Sequence, residues 1–230
     1  MAYSIKPSIV TNGLVFAADA GDPSSYVSGS LVWNDLTNGG NNGILTNGAT
    51  YNSSNFGSMQ FDGVNDFVDF TAAAALKPTG AMTISYWFKG KSATVSTSGV
   101  GTMGTSGNRG YLLGVNNSNE FIMYISSNST TLIGVPYIQT IDTNLWYHIA
   151  GVYTPSTSLE LYINGSLVAT NTTSIPATQY QGNNITLKVG NRGDAAYFTG
   201  LISSVQFYNR NLTAAEIDKN YRAQKGKYGL

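Results

Sequence analysis

The run Leu159-Glu160-Leu161-Tyr162-Ile163, then Asn164-Gly165, then Ser166-Leu167-Val168-Ala169-Thr170 constrains this chain most. Two apolar-rich stretches flank a two-residue link, and Asn-Gly readily supplies the two positive φ angles of a type I′ turn. The segment is expected to form an antiparallel hairpin. The same grammar continues along the 230 residues. Thr83 to Lys89 alternates, with Ile84, Tyr86 and Phe88 on one face and Thr83, Ser85 and Trp87 on the other. Gly110 to Val115 and Glu120 to Ser126 read as a second hairpin across Asn116 to Asn119. Gly13 to Ala18 and Trp146 to Tyr153 read as further strands.

One helix stands out against this background. Thr213-Ala214-Ala215-Glu216 has the form of a capping box, in which hydroxyl and carboxylate each accept from the other residue's backbone N–H. The helix is expected to run to about Ala223, with Lys225-Gly226-Lys227 as a glycine stop. A further turn is expected over Ala72 to Leu76, before Pro78.

Charged residues make up only 10% of the chain, against a usual share of about a quarter, and Ser, Thr, Asn and Gly replace them. Twelve basic and twelve acidic residues cancel to a net charge of +0, leaving no electrostatic footprint for nucleic acid. There are no cysteines, which removes disulfides, thiolate metal sites and cysteine nucleophiles together and leans towards a prokaryotic or viral source. No window reaches the roughly 20 apolar residues of a bilayer span, so no membrane insertion is expected. MAYSIKPSIV lacks the layout of a signal peptide. Asn-x-Ser/Thr triplets at Asn52, Asn128 and Asn164 carry no weight in a chain this rich in those residues.

Several segments match a known pattern together. They include Gly13-Leu14-Val15, Asp19-Ala20-Gly21, Trp33-Asn34-Asp35-Leu36, Phe61-Asp62-Gly63 with Asp66-Phe67-Val68, Trp146-Tyr147-His148, Tyr162-Ile163-Asn164-Gly165 and Tyr208-Asn209-Arg210. This set resembles the laminin-G-like 3 branch of the concanavalin A-like lectin/glucanase superfamily. The ending from Asn220 to Leu230 is similar to the tails of copies found in bacteriophage structural proteins. The resemblance implies an all-β fold, an antiparallel jelly-roll β-sandwich with a short C-terminal helix. Residues 13–230 would form the single domain, and residues 1–12 an N-terminal arm or edge strand.

The fold hosts lectins, glycanases and structural modules, so function has to come from sites. A retaining glycanase needs two carboxylates about 5 Å apart. Glu120, Glu160 and Glu216 are widely separated, and an odd spacing sends Asp66 and Asp69 to opposite faces of a strand. His148, the sole histidine, follows Trp146 in a strand with Ala150 and Val152 on its face, which favours packing over a base. The chain is therefore expected not to be an enzyme. Related domains hold calcium between an early aspartate, the Phe-Asp-Gly turn and a third aspartate. Here the first two match as Asp19 and Asp62, but Ser203 takes the third place, so calcium is a weak candidate ligand. The alternative role for both is a turn hydrogen bond to nearby N–H groups. Tyr111, Tyr137, Tyr180 and Tyr197 lie in or beside Asn/Gly-rich loops and are candidates for stacking on a sugar ring, with coverage of the sandwich edge as the plainer role. Trp33, Trp87 and Trp146 fall in core motifs.

The resemblance implies a non-catalytic virion surface component of a phage, in a decoration, neck or fibre position. The alternative is a carbohydrate-binding adhesin for host attachment, and a glycan hydrolase is the weaker one. Implied partners are other virion proteins (capsid, neck or tail), host-surface glycans and further copies of the chain. The implied place is the virion surface.

Overall fold

The computed structural model describes residues 8–70, 74–104, 107–182 and 185–230. Most of the expected N-terminal arm, residues 1–7, lies outside the described residues, as do residues 72 and 73 of the expected Ala72 turn. The strands are β1 (Leu14–Asp19), β2 (Val32–Trp33), β3 (Gly43–Thr46), β4 (Thr50–Asn52), β5 (Ser58–Asp62), β6 (Phe67–Phe70), β7 (Met82–Ser92) and β8 (Ser98–Gly101). They continue as β9 (Leu112–Val115), β10 (Glu120–Ser126), β11 (Leu132–Ile138), β12 (Tyr147–Thr154), β13 (Ser158–Ile163), β14 (Ser166–Asn171), β15 (Leu187–Val189) and β16 (Phe198–Tyr208). Helix α1 spans Ala214–Gln224.

Two antiparallel sheets form a sandwich. The first runs β14-β13-β12-β7-β16-β5-β4, with β1 also on β16, and the second runs β11-β10-β9-β8-β15-β6-β3-β2. The hairpin at Asn164-Gly165 forms as expected, with φ of 51° and 81° at the two turn residues. The Phe61–Phe70 segment does something a hairpin would not. Its two halves, β5 and β6, belong to different sheets, so the Asp62–Asp66 turn arches across the sandwich.

The core between the sheets is aromatic. Phe16 meets Phe70 edge-on at 4.9 Å, Trp33 lies 5.8 Å from Phe70, and Phe88 contacts Phe121, Tyr147 and Phe198. Each fully buried ring of this size stabilises the fold by about 2–3 kcal/mol. The alternation in β7 is as expected, with Ile84, Tyr86 and Phe88 facing this core. Yet its other face is buried as well, because α1 and the chain after it lie over the first sheet. Ile217 packs with Ala150, Val152, Tyr162 and Tyr208, while Tyr228 stacks on Trp87 at 4.0 Å.

Helix α1 starts on the capping box read from sequence. Thr213 Oγ1 accepts from Glu216 N at 3.3 Å, and Glu216 Oε2 accepts from Thr213 N at 2.9 Å. Arg210 donates to both Glu216 oxygens, at 2.9 and 2.6 Å, and this guanidinium holds the carboxyl down to about 2. The stop differs from expectation. The chain passes through Gly226 into a 3₁₀ turn, Lys225–Tyr228, and ends at Gly229 with φ of 76°. Tyr228 has an apolar site to fill on Trp87 and Trp146, which draws the turn onward past Gly226. Asn220 ties three segments together: its Oδ1 accepts from Val10 N, its Nδ2 donates to Tyr208 Oη, and Tyr208 Oη donates to Val10 O. Val10, within the expected arm, is thereby part of the sandwich.

Candidate functional site

The four candidate tyrosines do not make one platform. Tyr111 is fully buried, its hydroxyl donating to Leu76 O at 2.8 Å and its ring 5.4 Å from Phe207, so it cannot stack on a ligand. It lies just ahead of β9 and points into the core. Tyr137 is half-buried against that core, opposite Phe121. Tyr180 sits beyond the start of β7, where Gln179 N donates to Thr79 O, and Tyr197 sits beyond its end, where Tyr197 O accepts from Ala93 N. An 11-residue strand puts roughly 33 Å between those ends.

Asp19 and Asp62 likewise do not converge. Asp19 pairs with Ser204 and Asp62 with Thr199, five residues apart on β16, which is roughly 16 Å along the strand. Asp19 Oδ1 accepts from Gly21 N at 2.8 Å and from Lys227 Nζ at 2.5 Å, while Asp62 Oδ1 accepts from Val64 N at 2.8 Å. The turn-bonding alternative is the one the residues adopt. Ser203 donates to Gly57 O at 2.7 Å. Among the described residues no group of three or more acidic, histidine or cysteine side chains is placed to hold a metal.

The carboxylates are also spoken for singly. Glu120 accepts from Asn116 at 2.8 Å, Glu160 from Tyr162 Oη at 2.6 Å, and Glu216 from Arg210. Asp66 is buried in the 62–66 turn, accepts from Asp62 N at 3.1 Å, and is raised by desolvation, then by neighbouring Asp62. Asp69 pairs with Lys188. His148 is fully buried between Trp87 and Tyr221, ring centroids at 5.2 and 6.0 Å, and desolvation pushes it down to about 3. Among the described residues neither of its ring nitrogens has a hydrogen-bond partner.

The arrangement best suited to a ligand centres on Phe56, a residue the sequence reading passed over. The residue is 72% exposed, at the end of the one-turn 3₁₀ helix Ser54–Phe56. Its backbone φ is 64°, a left-handed conformation that costs a non-glycine residue about 1 kcal/mol or more. Two glycines clamp it there. A Cβ on Gly57 would lie 2.7 Å from Ala20 O, and one on Gly21 would overlap Phe56 O. This interlock presents the ring at the wall of a groove of about 660 Å³, within the usual range for ligand sites. Asp22, Pro23, Arg222, Gln224 and Lys227 line the rest. Asp22 uses one carboxylate oxygen on Ser24 N, and Gln224 uses its oxygen on Trp87 Nε1. Among the described residues the other Asp22 oxygen and the Gln224 amide N–H groups make no hydrogen bond and can meet hydroxyls. A flat apolar ring beside such groups can stack on a pyranose face and orient it. The signal in the sequence was Asn55-Phe56-Gly57, a lone aromatic among turn formers.

Comparison with known proteins agrees with this architecture. The binding domain of Paraclostridial Mosquitocidal Protein 1 superposes with a TM-score of 0.71 at 16% identity, over 91% of this chain and 52% of that one. The Botulinum neurotoxin serotype G binding domain gives 0.71 at 14%, over 90% and 50%. This chain thus spans about half the length of those toxin domains. Domain 4 of AbnA, a GH43 extracellular arabinanase from Geobacillus stearothermophilus, solved with arabinotriose, gives 0.69 at 17%, over 90% of this chain and 98% of that one. At these identities the likeness is one of fold. No curated protein matches the chain in sequence. Residues 61–218 match the laminin G-like 3 family model, and with well over half its length inside that match the chain belongs to the Concanavalin A-like lectin/glucanases superfamily.

Proposed function

We propose that this chain is a non-catalytic, lectin-type binding module that takes a neutral oligosaccharide in the Phe56 groove. The observation that carries the reading is the exposed Phe56 ring, held in a costly backbone conformation beside unspent hydrogen-bonding groups on Asp22 and Gln224. Strain kept at an exposed aromatic is better explained by a ligand than by packing, since so much of the ring faces water. The separate engagement of Glu120, Glu160 and Glu216 supports binding without hydrolysis. The likeness of residues 220–230 to phage-borne copies supports a place on a virion surface, attached to other virion proteins, with a host glycan as the ligand.

The test is affinity for a panel of neutral polysaccharides, arabinan included, measured by calorimetry and by release of reducing sugar. Binding without product is expected. Phe56→Ala should weaken it by about three- to tenfold, the worth of one aromatic stack, with the melting temperature unchanged because alanine keeps the same left-handed backbone cost. A panel without binders, or binding indifferent to Phe56→Ala, rejects the groove. Release of sugar rejects the non-catalytic reading.

A further inference from the structure

A second groove lies on the outer face of the first sheet, at the far end of β7. It encloses about 540 Å³ and is lined by Lys89, Lys91, Asn117, Thr143, Thr199 and Leu201, with Gly90 and Gly200 between them. Lys89 and Lys91 stand two apart on one strand and so share a face, roughly 6.6 Å apart at Cα. Their cross-strand neighbours on β16 are Leu201 and Thr199, neither of them acidic. On the other side β12 has already ended at Tyr147, opposite Phe88, and the loop carrying Thr143 forms the wall.

These lysines differ from five of the twelve cations of the chain. Lys188, Arg192, Arg210, Arg222 and Lys227 each hold a carboxylate. Lys89 and Lys91 form no ion pair among the described residues, although both are half-buried and line the same groove. Across the sheet, Asp62 lies in one row with Thr199 and Lys91, two strands away from Lys91, and accepts from Val64 N, while Asp142 beside Thr143 accepts from Asn144 N. Two like charges side by side repel, and no direct ion pair among the described residues offsets them. The hydroxyls of Thr143 and Thr199 make no hydrogen bond within the described residues, so neutral donors stand beside the two ammonium groups. Gly90 and Gly200, paired across β7 and β16 at φ of 132° and 131°, allow no side chain, since a Cβ on either would run into the opposite strand's carbonyl. The strand path beneath the groove is thus fixed before any ligand arrives.

We propose that this groove is an anion subsite for an acidic glycan: Lys89 and Lys91 bind a sugar-borne carboxylate or sulfate, and Thr143 and Thr199 bond its oxygens or the adjoining hydroxyls. The site uses no residue of the Phe56 groove and stands whether or not that groove binds a neutral sugar.

The experiment uses the full chain and four probes: polygalacturonate for a carboxylate, dextran sulfate for a sulfate, uncharged dextran, and oligothymidylate as a non-glycan polyanion. Binding is measured at low and high salt for the wild type, Lys89→Gln/Lys91→Gln and Phe56→Ala. At least one acidic glycan should bind, more weakly at high salt. The double variant should weaken it by about tenfold, from two contacts worth about two- to fivefold each. Phe56→Ala should leave it unchanged, which separates this site from the first groove. Preference between polygalacturonate and dextran sulfate identifies the anion. Equal binding of uncharged dextran, or acidic-glycan binding that the double variant does not alter, overturns the proposal. So does oligothymidylate binding as tightly through the same lysines. The salt response of the wild type bears on the proposal even if the double variant is unstable.

Discussion

The two sheets share one core but present different outer faces. On the first sheet, β7 and β12 are buried almost from end to end on both sides. Their outward residues, Trp87, His148, Ala150 and Val152, lie beneath α1 and the 3₁₀ turn after it. On the second sheet, β8, β9 and β10 are likewise buried nearly throughout, but β3 and β6 at the other end alternate between buried and more exposed positions. A row of paired residues, Val32, Ile44, Asp69 and Lys188, crosses its outer side, with Ile44 half exposed and an ion pair in place of aromatic packing. A sheet face rich in apolar side chains obliges the chain to supply a cover, whereas an alternating one can meet water directly. The cover also shapes function, because the Phe56 groove has the covering segment as one of its walls.

The comparison breaks most readily at Trp87. Trp87→Ala should cost about 3–5 kcal/mol in chemical denaturation, whereas Ile44→Ala on the open face should cost under about 1 kcal/mol. Equal losses would mean that the cover contributes little.

Acid should act on the covered face next. Burial holds His148 near 3 in the folded state, well below its ordinary value of about 6.5. The unfolded chain therefore takes up the proton first. The associated stability is fully present above about pH 6.5 and is lost as pH falls from there towards 3. Between pH 6.5 and 5 the loss should approach about 2 kcal/mol, and His148→Leu should flatten that slope. A parallel slope in the variant would assign the acid sensitivity to carboxylates instead.

Gly165→Val tests how the edge hairpin meets the cover. The new Cβ would sit 2.9 Å from the Tyr221 ring at a φ of 81° that valine resists. A loss of about 1–2 kcal/mol is expected, with an unchanged melting temperature as the contrary result. The smallest effects should come from the open face. Asp69→Asn leaves Lys188 in contact with water and should cost under about 1 kcal/mol. Excess chelator should not move the melting temperature, since Asp19 and Asp62 are far apart; a large drop restored by calcium would reverse that.

The strands, the Asn164-Gly165 turn and the capping box were legible because each depends on neighbours in sequence. The separation of β5 from β6 was not, since Asp62-Gly63 looks the same whether a turn folds back or crosses between sheets. Distance along β16 decided against Asp19 with Asp62, and no local pattern reports strand register. Tyr111 looked like a loop residue, but the cavity it fills is made by Leu76 and Phe207, remote in the chain. Phe56 was missed for the opposite reason. Exposure of an aromatic is a property of the surroundings, and the two glycines that hold it outward, Gly21 and Gly57, are 36 positions apart.

The place of β16 has a consequence for how the molecule assembles. It is the strand on which β1, β5 and β7 all align, yet it is the last strand in the chain. During synthesis those three must wait with open edges until Phe198–Tyr208 has emerged. Such contacts between distant parts of a chain make for slow folding, and unpaired edges invite association with other copies. Folding yield should therefore depend on dilution more than on the stability of the finished sandwich.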